Sequence, residues 1–91
     1  MKSILQDDKR CYICGAVTGL ERHHVMSGTA NRKLSETYGL WIWLCYDHHR
    51  GQIGVHSDYF LKERTEKDAQ RAFEAQWGHV AWMAIFRKNY L

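Results

Sequence analysis

Hydrophobic and polar positions change their spacing several times along the chain, and each change predicts an element. Leu20 to Val25 is short and mixed, the pattern of a strand running into His23 and His24. Met26 to Ala30, with Ser27, Gly28 and Thr29 in succession, predicts a loop. Asn31 to Tyr38 predicts a short helix that Gly39 stops. Leu40 to Leu44 reads Leu-Trp-Ile-Trp-Leu, aromatic and β-branched over strand length, and predicts a buried strand that delivers Cys45. In that strand Trp41 and Trp43 suit core packing better than base stacking.

Asp47 to Arg50 then opens a short helix, and Gly51 and Gly54 follow. Ser57 or Asp58 is placed to cap a long helix in which Ala69, Ala72, Phe73 and Gln76 or Trp77 recur at helical spacing. Gly78 interrupts it, and His79 to Phe86 forms a second helical piece. A knuckle at Cys11 to Gly15, a two-stranded ribbon, a short helix and a helical cover make an α+β arrangement. With no repeat or linker, the chain reads as one domain over 1–91, with a core at about 10–57 and a C-terminal cover at about 58–91.

Size changes this picture. A 91-residue chain buries only about 60–65% of its unfolded surface, so its core alone is marginal and a staple is expected. Three cysteines are an odd number, which fits a metal site with histidine better than a closed disulfide set and suits a reducing cytoplasm. Neither a secretory signal nor a membrane-length apolar run is present. The net charge of +3 favours a polyanionic partner without establishing one.

The spacing supplies the candidate chemistry. Cys11-x-x-Cys14 and Cys45-x-x-His48 are two bidentate pairs that complete a tetrahedral, structural Zn²⁺ site of Cys₃His type. Between them lies the His23-His24 pair, so the zinc closes a loop around it. In an extended strand His23 and His24 point to opposite sides and can take different roles. At a helix start His48 and His49 are turned about 100° apart, so His48 can face the zinc while His49 faces a second ion. Glu21 lies on the His23 side of the strand, where it either orients His23 or is simply a solvated edge charge. The sequence contains no His-Glu-x-x-His, and the gap from Cys14 to His23 is too short for a Cys₂His₂ finger. Without proline, the chain also lacks the Pro-Cys-x-x-Cys of zinc deaminases.

In order, Cys11-x-x-Cys14, His23-His24-Val25 and Leu44-Cys45-Tyr46-Asp47-His48-His49 resemble the HNH, or ββα-metal, nuclease family. Arg32 to Leu40, Gly54-Val55-His56 and Asn89-Tyr90-Leu91 narrow the resemblance to small phage and prophage members. The resemblance implies a zinc-stapled, treble-clef-like ββα-metal core with a helical C-terminal extension. It implies His24 as general base, His23 in place of the family's metal-binding Asp, His49 as the other ligand, and His56 as a third ligand or substrate contact. One departure stands out: the middle Asn of the HNH name is Gly39 here, and Asn31 or a backbone group is left to steady the loop.

The implied activity is metal-dependent hydrolysis of DNA phosphodiesters. Imidazole ligands favour Mn²⁺, Ni²⁺, Co²⁺ or Zn²⁺, with Mg²⁺ admitted by substrate and water oxygens. Arg22, Arg32, Lys33 and Arg50 surround the His pair in sequence and would hold double-stranded DNA through its phosphates. Phage recombination or packaging proteins are the implied partners. The alternatives are a catalytically inactive zinc-stapled module of HNH descent that binds nucleic acid or protein, and a purely structural zinc protein.

Overall fold

The computed structural model describes all 91 residues. Its elements are β1 (Leu20–His24), α1 (Thr29–Tyr38), β2 (Trp41–Cys45), α2 (Tyr46–His49) and α3 (Tyr59–Phe86). The result is a small α+β arrangement around a two-stranded antiparallel sheet. No helix is long and apolar enough to cross a membrane.

β1 and β2 pair with His24 opposite Trp41, His23 opposite Ile42 and Glu21 opposite Leu44. Because strand side chains alternate, this register sorts the ribbon into two faces. Glu21 and His23 share one face with Ile42 and Leu44, while Arg22 and His24 share the other with Trp41 and Trp43. The expected β2 begins and ends one residue later than its sequence pattern. Both its faces are covered: Ile42 and Leu44 are fully buried on one, and Trp41 nearly so on the other.

The covering of the Trp41 face comes from the N-terminal segment. Trp41 Nε1 donates to the Met1 carbonyl at 3.1 Å, Ser3 Oγ donates to the Trp41 carbonyl at 2.6 Å, and the Trp43 amide donates to Gln6 Oε1 at 2.6 Å. Ile4 N–H donates to the Gly39 carbonyl at 2.9 Å, which seals the end of the ribbon.

Gly39 ends α1 in the left-handed region (φ 70°) and donates to the Ser35 carbonyl. A Cβ at this position would stand 2.3 Å from the Lys2 carbonyl oxygen, so the approach of the N-terminal segment requires glycine. An asparagine side chain has no room here. We expect Gly39→Asn to lower stability by about 1–3 kcal/mol, read as a lower urea midpoint, because Asn tolerates the dihedrals but not the collision.

α3 starts at Asp58 rather than Ser57. The Asp58 carboxylate accepts from the amides of Phe60 and Leu61 at 2.9 and 3.2 Å, satisfying two of the helix's unpaired donors. Thr65, Ala69 and Phe73 follow at intervals of four and are buried, as is Gln70. Ala72 is only half-buried and Gln76 is exposed, so the buried stripe is narrower than the sequence pattern suggested. At Gly78 the backbone leaves helical dihedrals (φ 88°, ψ 166°), and the remainder of α3 turns so that Trp82 packs on Phe73 at 5.3 Å between centroids. Leu40, Ile42, Val55, Phe73 and Trp82 belong to one buried cluster.

The C-terminal Asn89-Tyr90 pair is a clasp. Buried Gln70 donates to Asn89 Oδ1 at 2.7 Å and accepts from the Tyr90 amide at 2.7 Å, while Trp82 Nε1 donates to the Lys88 carbonyl at 2.8 Å. Each bond satisfies a polar group that packing would otherwise strand.

Candidate functional site

The knuckle reaches β2 through its backbone. The Cys11 amide donates to the Ala16 carbonyl at 2.8 Å, Gly15 donates to the Cys11 carbonyl at 2.9 Å, and Tyr12 donates to the Trp43 carbonyl at 2.8 Å. Tyr12 OH also donates to Asp68 Oδ2 at 2.9 Å, tying the knuckle to α3. Burial and the Asp68 carboxylate together push the Tyr12 phenol up to about 12, so it remains a donor. Cys45 caps α2 directly after β2, and His48, three residues on, turns back toward it.

These constraints bring Cys11, Cys14, Cys45 and His48 into one cluster that could hold a metal ion such as zinc. Two sulfurs bound to tetrahedral zinc at about 2.3 Å stand about 3.8 Å apart. The Cys14 and Cys45 sulfurs are 3.8 Å apart, and His48 Nδ1 lies 3.3 Å from Cys45 Sγ and 3.8 Å from Cys11 Sγ. The spacing and the soft donor set both fit zinc.

Protonation at the cluster points the same way. Burial works against the Cys11 thiolate, but the backbone amides of Cys14, Cys45 and Ile13 outweigh it and bring the thiol down to about 6. Cys45 behaves oppositely: the His48 amide favours its thiolate, yet burial and the sulfurs of Cys11 and Cys14 push it up. Three close sulfurs cannot all ionise without a cation, so metal binding would expel protons.

A second cluster lies on the Glu21 face of β1. His23, His49 and His56 each offer a nitrogen, all within 4.8 Å of one another. Their ring centroids are separated by 5.1 Å (His23 to His49), 5.2 Å (His23 to His56) and 4.9 Å (His49 to His56). His56 reaches this position because the chain folds back over α2. The Val55 amide donates to the His48 carbonyl at 2.9 Å, and a Cβ on Gly54 would stand 2.9 Å from backbone atoms of Asp47, His48 and His49. Only glycine permits that approach.

Burial first, then the neighbouring His49, His56 and His24 rings and Lys62, push His23 down to about 3. The same causes, burial followed by His49, Arg50 and Lys62, lower His56. Neutral imidazoles with free lone pairs are the form that binds a metal.

Glu21 bonds to His49 rather than to His23. His49 Nδ1 lies 2.9 Å from Glu21 Oε1, which also accepts from Arg50 Nε at 3.2 Å. The His49 bond and the Arg50 charge hold the Glu21 carboxyl below its usual range despite burial. With Nδ1 facing a carboxylate, His49 presents Nε2 as its ligand atom, an arrangement common among metal-binding histidines.

His24 points to the opposite face of β1, toward α1. Its Nε2 lies 3.5 Å from Glu36 Oε1 and makes no hydrogen bond. Burial raises the Glu36 carboxyl, but the bonds from Arg22 and the nearby His24 ring overcome it and hold that carboxyl below its usual range. The loop after His24 is fixed by three bonds: Val25 N–H to the Leu40 carbonyl at 3.0 Å, Met26 N–H to Ser35 Oγ at 3.3 Å, and Asn31 Nδ2 to the Ser27 carbonyl at 3.0 Å. Asn31 and the backbone thus hold this loop.

His23, His49 and His56 open, together with His24, onto one cleft of about 410 Å³ that Arg22, Arg32 and Arg50 also line. Lys33, grouped with these cations by sequence, lies on α1 outside the cleft lining. Arg22 is already engaged: it donates to Glu36 at 2.7 Å and stacks 3.6 Å over the Trp41 ring. Arg32 makes no ion pair, and Arg50 pairs only with Glu21, so these two cations remain the most available to an anionic ligand. Two carboxylates matter here that no local spacing could reveal, Glu21 toward His49 and Glu36 toward His24, since each meets its partner from a different element. No family model, curated protein or solved structure matches the chain.

Proposed function

We propose that this chain is a metal-dependent DNA endonuclease of the HNH kind, built on a zinc-stapled ββα-metal core. The observation that carries this reading is the convergence of His23, His49 and His56, with His24 beside them, in a cleft lined by three arginines. A structural zinc protein has no need of a second histidine cluster open to solvent.

A phosphodiester resists hydrolysis because the nucleophile must approach a negatively charged centre and an alkoxide must leave. A divalent ion held by His23, His49 and His56 would supply Lewis-acid stabilisation of the charge that grows on the phosphate oxygens. Arg32 and Arg50 hold the backbone by its phosphates, which gives binding without base readout. His24 takes a proton from the attacking water as its oxygen bonds to phosphorus, and the bond to the departing 3′ oxygen breaks. Glu21 keeps the His49 ring in one orientation throughout.

Supercoiled plasmid incubated with zinc-loaded protein and a series of Mn²⁺, Ni²⁺, Co²⁺ and Mg²⁺ should be converted to nicked or linear forms. Retention at low salt without conversion under any ion is what an inactive nucleic-acid-binding module predicts, and would overturn this reading.

A further inference from the structure

The face of β1 opposite the histidine cluster contains an unexplained polar atom. His24 Nε2 is the single buried side-chain nitrogen or oxygen without a hydrogen-bond partner. A buried ring nitrogen left unpaired is costly whether it carries a proton or a lone pair. The nearest charged group is the Glu36 carboxylate, with Oε1 3.5 Å away. We infer that Glu36 is a positioning residue for His24, accepting a proton-bearing Nε2 and thereby leaving Nδ1 as the ring's one free lone pair.

The geometry supports this from both ends. Glu36 is held by Arg22, whose Nη1 donates to Oε1 at 2.7 Å and to Oε2 at 3.1 Å. Arg22 is itself flattened 3.6 Å over Trp41, the residue opposite His24 in the sheet register. Trp41 is fixed in turn by the Met1 carbonyl. A chain of contacts from Trp41 through Arg22 to Glu36 thus sets the carboxylate beside the ring it serves. A short rotation of Glu36 closes 3.5 Å to bonding distance, the kind of tightening that accompanies substrate binding. A neutral imidazole has one donor and one acceptor nitrogen, so fixing the proton on Nε2 decides which edge can accept one from water. His24 lines the cleft, and with the proton held on Nε2 its free lone pair is on Nδ1. The side chain of Glu36 does not touch the reacting atoms in this scheme and acts only through His24.

This inference rests on His24 being the base, and two readouts keep the two ideas separate. The first is the ring ¹⁵N spectrum of His24 in zinc-loaded protein, which reports the tautomer without any cleavage. Wild type should show the Nε2–H form, Glu36→Ala should lose it, and Glu36→Gln, which keeps an acceptor oxygen, should retain it. The second is plasmid cleavage with Mn²⁺: Glu36→Ala should lower kcat about tenfold or more with KM for DNA unchanged, and Glu36→Gln should recover most of the loss. Circular dichroism on each variant checks that the fold is kept. An unchanged tautomer in Glu36→Ala, or a fall confined to KM, overturns the role of Glu36. A tautomer change in protein that cleaves nothing upholds Glu36 and sinks the endonuclease instead.

Discussion

Cys45→Ser should abolish the cooperative unfolding transition of this chain, and extraction of zinc from the wild type should do the same. Structural zinc sites contribute roughly 10–16 kcal/mol of binding free energy, which matches or exceeds the roughly 5–15 kcal/mol that keeps a typical domain folded. The expectation is stronger here because Cys45 does three things at once. It ends β2, caps α2, and stands 3.3 Å from His48 Nδ1 and 3.8 Å from Cys14 Sγ. Serine offers a hard hydroxyl that is not ionised at neutral pH, so the site loses a ligand. The knuckle would then be joined to β2 mainly through the single Tyr12 amide. Thermal melts followed by circular dichroism, with and without chelator, check this. A variant that melts cooperatively at the wild-type midpoint would mean that the cluster does not staple the fold.

The second large effect is the one expected of the proposed endonuclease. His24→Ala should lower single-turnover plasmid cleavage by about 10²- to 10⁴-fold, the usual contribution of a positioned general base. Zinc content and circular dichroism should stay near wild type, because His24 belongs to neither metal cluster. The loop behind it is held independently by Val25, Met26 and Asn31. Cleavage retained by this variant would remove His24 from the reaction and pass the search for a base to another group in the cleft.

The spatial separation of neighbouring histidines was legible in the sequence because it depends only on local geometry. Strand alternation separates His23 from His24, and a helical turn separates His48 from His49. The clusters follow that division, with His23 and His49 in one and His48 in the other. The stop at Gly39 and the break at Gly78 were legible for the same reason, each being a local backbone demand. What stayed hidden is what joins elements far apart in the chain. Nothing at Glu36 signals that α1 will lay it beside His24, and nothing at Gln70 signals that it will hold Asn89 and Tyr90. Arg22 is a further case. Its sequence neighbours suggest a phosphate contact, but Glu36 and Trp41 occupy its guanidinium.

Metal content measured on one sample tests most directly whether the two clusters are separate metal sites with separate fates. Zinc-replete protein titrated with Ni²⁺ or Mn²⁺ should hold two ions per chain. His49→Ala should lose the second ion, keep the zinc and stay folded, because His49 belongs only to the cluster with His23 and His56. A chain that never holds more than one ion, or a His49→Ala variant that keeps both, would mean that the clusters are not two separate metal sites.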